Sequence, residues 1–153
     1  MAKAALDAFS SEEAARAAKT VLEFLDDEWE GDRSLEGDAR MLLAQSYRMA
    51  GDVDSALREA ESASRILSSE KHLARSVTSL LFAAETAWQA RKVEETTRLV
   101  QEVMDDARAV GDKESLRHIL SLAATLANLR GEYEKANEYL EEAGSLAPAP
   151  KET

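Results

Sequence analysis

An all-α fold is predicted here, an antiparallel solenoid of stacked helical hairpins about seven helices long. The first observation behind this is glycine spacing. Gly51 and Gly131 lie 80 residues apart (131 − 51), and so do Gly31 and Gly111 (111 − 31). The second is that each pair sits in nearly the same local text. Tyr47-Arg48-Met49-Ala50-Gly51-Asp52-Val53 matches Ala127-Asn128-Leu129-Arg130-Gly131-Glu132-Tyr133, and Gly31-Asp32-Arg33 matches Gly111-Asp112-Lys113. The midpoints, Arg91 and Lys71, fall in segments with the same hydrophobic pattern but no glycine. The third is that apolar residues recur at helical spacing, with no competing strand alternation. A unit of about 40 residues made of helix, turn and helix cannot bury its own apolar face, so it stacks on its neighbours.

The elements follow in order. Ser10-Ser11-Glu12-Glu13 reads as a capping box opening the first helix, with residues 1–10 an N-terminal extension or partial helix. Ala14, Ala18, Val21 and Leu25 continue it to about Trp29, and Gly31 ends it in the left-handed conformation that glycine adopts freely. The second helix is expected over 33–50, stopped by Gly51. Asp52 caps the third, 53–69. The fourth covers 72–90, the fifth 93–110, the sixth 113–130 and the seventh 133–146. Residues 147–153 hold both prolines and read as a flexible tail, which leaves 11–146 as the repeat domain. Small residues recur in register: Ala44, Ala84 and Ala124; Ala56, Thr96 and Ala136; then Ala60, Val100 and Leu140 along the inner stripe of each second helix. Small side chains let helices cross closely. In the middle unit Arg91 replaces glycine and Thr96 replaces alanine, so its turn is expected to be looser or longer.

Composition narrows the function classes. A net charge of −11 argues against nucleic acid or an anionic membrane, which require clustered Lys and Arg. With 0 cysteines the chain has no disulfide and no thiolate chemistry, which is compatible with a reducing compartment. No apolar run approaches membrane-spanning length, and the first residues lack the apolar core of a secretory signal, so the expected location is cytoplasmic.

The stretches Leu43-Ala44-Gln45-Ser46-Tyr47-Arg48-Met49-Ala50-Gly51-Asp52-Val53-Asp54-Ser55-Ala56 and Leu122-Ala123-Ala124-Thr125-Leu126-Ala127-Asn128-Leu129-Arg130-Gly131-Glu132-Tyr133-Glu134-Lys135-Ala136 resemble tetratricopeptide (TPR) repeats. The usual period of that family is about 34. The longer spacing here resembles the variant of about 40 residues found in kinesin light chains, mitotic-spindle adaptors and some bacterial signalling regulators, which also tend to carry a Gly-Asp before the first helix, as at Gly31-Asp32 and Gly111-Asp112. The resemblance covers about residues 11–146 and implies a right-handed superhelix whose first helices line a concave groove. It places Asp38, Met41, Gln45 and Arg48 there from the second helix, then Thr78, Leu81, Glu85 and Trp88, then His118, Ser121, Thr125 and Asn128. The candidate partner-binding set is Met41, Gln45, Arg48, Leu81, Glu85, Trp88, Ser121, Thr125 and Asn128. Trp88 leads it, because Trp and Arg are the enriched anchors of interfaces. Trp88 could equally cover its neighbouring helix, and Met41 and Leu81 could be ordinary packing residues. Some members of the family clamp a peptide carboxylate with Lys and Asn. The matching positions here hold Met41, Leu42, Gln45, Leu81, Phe82, Glu85, Ser121, Leu122 and Thr125, so that clamp is expected to be missing.

No catalytic constellation stands out. His72 and His118 are the only histidines, and Glu114, four residues before His118, suggests a surface pair and not a metal site. Adjacent carboxylates such as Asp26-Asp27, Glu94-Glu95, Asp105-Asp106 and Glu141-Glu142 diverge around a helix and read as solvated faces. Trp29 is expected to staple the end of the first helix, and Tyr139 and Leu146 to leave an apolar strip on the last. Such an end allows dimerisation, a longer array or a larger assembly. The expected function is therefore a non-enzymatic scaffold or adaptor that needs no cofactor or metal and binds a protein or peptide partner. The alternatives are a sensor or regulatory module of a larger signalling protein, and a structural subunit of a large assembly.

Overall fold

The computed structural model describes residues 2–25 and 29–147, with side chains from Ser11 onward. Among the described residues there are seven helices and no strand: α1 (Ala2–Phe24), α2 (Ser34–Met49), α3 (Val53–Ser69), α4 (Leu73–Gln89), α5 (Val93–Val110), α6 (Lys113–Leu129) and α7 (Tyr133–Ser145). From α2 to α7 each helix lies within two residues of its expected bounds. Each helix packs on the one before it, and α4 also touches α6.

The first helix departs from expectation at both ends. It begins at Ala2 and runs straight through Ser10 and Ser11, so no capping box opens there and the boundary drawn at residue 10 falls inside a helix. Ala2, Ala4, Ala5, Leu6 and Ala8 are strong helix formers, and a serine inside a helix costs only a few tenths of a kcal/mol. The helix ends at Phe24, not near Trp29, and Gly31 does not take a positive φ. The Asp26-Asp27 pair and the tail residues 148–153 lie outside the described residues. Trp29 stacks tilted on Phe24 with ring centroids 6.2 Å apart.

The turns carry the repeat more faithfully than the glycines do. Gly51, Gly111 and Gly131 have φ of 82°, 76° and 76°, and the two midpoints without glycine, Lys71 and Arg91, adopt the same left-handed conformation at 65° and 61°. At Gly51 the amide of the glycine donates to Arg48 O and the next amide to Tyr47 O. The same two bonds recur at Lys71 (Ser68 O and Leu67 O), Arg91 (Trp88 O and Ala87 O) and Gly131 (Asn128 O and Ala127 O). These are Schellman closures, which satisfy the last carbonyls of the helix. Gly111 makes the simpler form, one bond to Ala107 O. The middle turn is thus neither looser nor longer: backbone hydrogen bonding imposes the geometry on Arg91 without glycine's help.

Aspartates start several helices. The Ser55 N–H donates to Asp52 Oδ1 at 3.2 Å and the Glu114 N–H to Asp112 Oδ1 at 3.2 Å. Ahead of α2, the Ser34 N–H donates to Asp32 Oδ1 at 2.8 Å. The hydrogen bonds from Ser55 hold the Asp52 carboxyl below the usual carboxylate range, and the Ser34 amide does the same for Asp32.

The main core runs through α2 to α6, joining Ala44, Leu57, Ala60, Val77, Leu80, Ala83, Ala84, Leu99, Val103, Ile119 and Leu120. The in-register alanines lie where helices cross: Ala44, Ala56, Ala60 and Ala84 have no exposed surface. At Gly37 the α2 backbone comes close to α3: a β-carbon there would sit 2.7 Å from Leu67 Cγ. Between α3 and α4 the buried Ser64 and Ser76 hydroxyls bond at 2.8 Å, so two polar side chains enter the core fully satisfied.

From α2 onward, ion pairs link alternate helices. Asp38 on α2 meets Arg75 on α4, and Asp54 and Glu61 on α3 hold Lys92 (2.7 Å), the residue that precedes α5, and Arg98 (2.9 Å) on α5. Glu85 on α4 faces His118 on α6 at 3.5 Å, and Arg108 on α5 holds Glu142 on α7 at 3.1 Å. The carboxylate hydrogen bonds raise the pKa of both Lys92 and Arg98. Such exposed pairs contribute little, because solvent screens them. Their structural information is larger than their energy, because they record which helices lie side by side.

Candidate functional site

The residues singled out stand on α2, α4 and α6 and differ in exposure. On α4 and α6 they converge on a furrow. Its upper part is lined by Glu85, Trp88, Gln89, His118, Ser121, Leu122 and Thr125. It continues into a second depression between Thr78, Leu81, Phe82, Glu85, Glu114, Ser115 and His118. Glu85 and His118 line both parts, and their ion pair bridges the furrow floor between the two helices.

Helical spacing explains the alignment. Leu81, Glu85 and Trp88 stand four and three residues apart on α4, which is one face of a helix, and Ser121 and Thr125 repeat that spacing on α6. Their neighbours Ala83, Ala84, Ala87 and Ala123, Ala124, Ala127 are buried. Trp88 is half-buried. Trp88 thus covers part of the core and also borders the furrow. Met41, Leu81, Phe82 and Leu122 are likewise half-buried against the core, whereas Gln45, Ser121, Thr125 and Asn128 are exposed.

The α2 residues relate to this furrow through Arg48. Its guanidinium lies over the Phe82 ring, 4.9 Å from the centroid. A cation over an aromatic face contributes about 0.5–1 kcal/mol at an exposed site. The contact joins α2 to α4 and fixes where the positive charge sits. Met41 packs inward against the core, while Gln45 and Asp38 are exposed on the same helix, Asp38 pairing with Arg75 of α4. Asn128 lies at the far end of α6 and lines neither depression of the furrow.

His118 corrects an expectation. Its partner is Glu85 across the furrow, not Glu114 on its own helix. The pair is a charged one only when the imidazole is protonated. His72 lies on another edge, 3.9 Å from Asp32. Among the described residues no three His, Asp or Glu side chains approach closely enough to share a metal ion. The furrow instead offers apolar walls from Leu81, Trp88 and Leu122, hydroxyls from Ser121 and Thr125, and one cation above Phe82. The Thr125 hydroxyl donates to Ser121 O at 3.0 Å, so towards a ligand it presents an acceptor.

Spacing did not reveal Gln89 as a lining residue or the Arg48–Phe82 stack. The signal was faint: an arginine near the end of one first helix and an aromatic in the middle of the next. The expected strip on the last helix also changes. Tyr139 and Leu146 turn inward onto the main core, and the exposed apolar residues there are Tyr133 and Leu140. Leu140 thus does not continue the buried stripe of Ala60 and Val100.

No described helix is long and apolar enough to cross a membrane. No protein-family model, curated protein or solved structure matches this chain.

Proposed function

We propose that the chain is a non-enzymatic protein-interaction scaffold, a TPR-like solenoid of the long-repeat type that takes a peptide or partner helix along the surface formed by α2, α4 and α6. The observation that carries this reading is the α4/α6 furrow. It is open along its length, walled by Leu81, Trp88 and Leu122, and dotted with Ser121, Thr125, Gln89 and the Arg48 charge. An extended or helical segment with apolar anchors fits such a surface: a half-buried tryptophan already held by its own core needs little ordering on binding, which lowers the entropic cost. Repeating turns support the solenoid reading, because left-handed closures recur at 51, 91 and 131 and again at 71 and 111. The ion pairs between every second helix are consistent with units laid side by side.

The test is to pan a displayed peptide library on the full chain, then measure the enriched peptides by fluorescence anisotropy. Trp88→Ala and Arg48→Ala should each weaken binding at least tenfold while leaving the circular dichroism spectrum unchanged. Enriched peptides that bind both variants as well as the parent would overturn the reading.

A further inference from the structure

Two successive junctions between helices are not filled alike. Where α3, α4 and α5 meet, Leu57 on α3 and Leu99 on α5 belong to the main core, 4% and 0% exposed. One unit later, 40 residues on (97 − 57 and 139 − 99), the same positions hold Thr97 on α5 and Tyr139 on α7, both only half-buried. The helices differ in the same direction. Among the described residues α5 packs less extensively on α6 than α3 does on α4, and less than in any other consecutive pair.

At this later junction a cleft of about 40 Å³ lies between α5, α6 and α7. Val100, Ala123, Leu126 and Ala127, all buried, make its apolar floor. Its rim is polar and carries Arg130, Lys135, Glu132 and Gln101 beside Thr97 and Tyr139. The cations are particular to this unit, since Ala90 and Glu95 stand one unit before Arg130 and Lys135. Arg130 is also held in place. Its Nη2 donates to Thr97 Oγ1 at 2.7 Å, and that hydroxyl donates to Val93 O at 2.9 Å. The threonine therefore anchors one corner of the guanidinium, and among the described residues no carboxylate pairs with the rest. Lys135 is offset by Glu132 at 3.7 Å. Two cations and one carboxylate leave the rim with one net positive charge (2 − 1), on a chain whose net charge is −11.

We propose that this cleft binds a small monocarboxylate with a short hydrocarbon tail. The planar guanidinium matches a carboxylate through two parallel N–H···O bonds, which Arg130 would supply at the rim. The tail would lie on Val100 and Leu126 and displace water from the apolar floor. A single net positive charge suits a monoanion better than a phosphate dianion, which would also meet Glu132 and leave the floor wet. The cleft shares no lining residue with the α4/α6 furrow, so the two readings stand or fall apart.

The experiment titrates the isotopically labelled full chain with butyrate, with butyramide as its neutral counterpart, and with inorganic phosphate, all at constant ionic strength. Amide shifts in two-dimensional NMR spectra locate and quantify binding. Butyrate should give saturable shifts at residues 97–101 and 123–135, and butyramide and phosphate should bind about tenfold more weakly, the loss of a hydrogen-bonded charge pair. Arg130→Gln removes an exposed charge and should erase the advantage of butyrate over butyramide. Thr97→Leu with Tyr139→Leu restores the residues of the earlier junction and should abolish the saturable shifts, with the circular dichroism spectrum unchanged. Trp88→Ala should alter nothing here. Four results would overturn the proposal: no saturable shift with butyrate, shifts that map to the furrow and vanish in Trp88→Ala, butyramide or phosphate binding as tightly as butyrate, or undiminished butyrate binding in Arg130→Gln.

Discussion

Replacing Arg91 by glycine should stabilise the protein, although it deletes a long side chain and inserts the residue with the greatest freedom to lose. Arg91 holds φ at 61°, in the left-handed region, as the C′ residue of a Schellman closure. For an L-residue with a β-carbon that conformation costs about 1–2 kcal/mol. Glycine removes this cost but adds about 0.4–1 kcal/mol of unfolded-state entropy. The Arg91 side chain is exposed, so its loss uncovers no core. The balance is a gain of about 0.5–1 kcal/mol. For a chain of this length that is a rise in midpoint of about 1–4 °C. Lys71→Gly, at φ 65° and equally exposed, should behave the same way. The reverse substitution isolates the backbone: at Gly131 a β-carbon would meet nothing within 4 Å, so the loss in Gly131→Ala is purely conformational. Gly131→Val should lose more, because branching at Cβ restricts the left-handed region further. Thermal and urea melts followed by circular dichroism read all four. A midpoint lowered by Arg91→Gly, with an unchanged slope, would refute the claim that a strained turn closes the middle unit.

Other expectations concern packing, capping and the furrow. Ala44→Leu and Ala124→Leu should each destabilise by about 1–3 kcal/mol through overpacking, since Ala44 is fully buried and Ala124 is 2% exposed; unchanged urea midpoints would contradict the helix register. Gly37→Ala should cost about 1–3 kcal/mol as well, because the new methyl would press on Leu67, which is buried and cannot swing aside. The Asp52 cap works only as a carboxylate, and its folded pKa is depressed. Its contribution is therefore present above the ordinary carboxylate range and lost as pH falls through the folded pKa. The stability gap between the parent and Asp52→Ala should be constant near neutrality and shrink in acid; a gap independent of pH would mean that the carboxylate is not the cap. In the furrow, His118→Ala should leave helicity intact, because the Glu85 pair is exposed and surface pairs contribute little. A clear loss of helical signal would mean that this pair holds α4 to α6.

The legible part of the molecule was everything local. Six helices came within two residues of their ends because helix stops are chemical events of short range: a residue able to sit at positive φ, an aspartate accepting an amide two or three residues on, and an apolar stripe at helical spacing. Even the small residues at helix crossings could be placed, since Ala44, Ala84 and Ala124 recur one unit apart. The first helix failed because a Ser-Ser-Glu-Glu sequence can cap or can simply be helical. Ala-rich sequence ahead of it lets the helix pass through, which a local motif does not exclude. Arg91 failed as a signal for the opposite reason. Absence of glycine suggests a looser turn, yet the two closing hydrogen bonds hold the backbone in the left-handed region anyway.

Order along the chain, and hence the number and period of the helices, was written in the sequence, because turns and stripes obey rules that span fewer than a dozen residues. Which side chains meet across helices was decided only by the three-dimensional arrangement. Arg48 over Phe82, Glu85 against His118, and Asp54 and Glu61 against Lys92 and Arg98 all depend on the tilt and stagger of neighbouring helices. The same holds for Leu140. Its sequence position matches Ala60 and Val100, but burial belongs to whatever lies on top, and among the described residues nothing covers it.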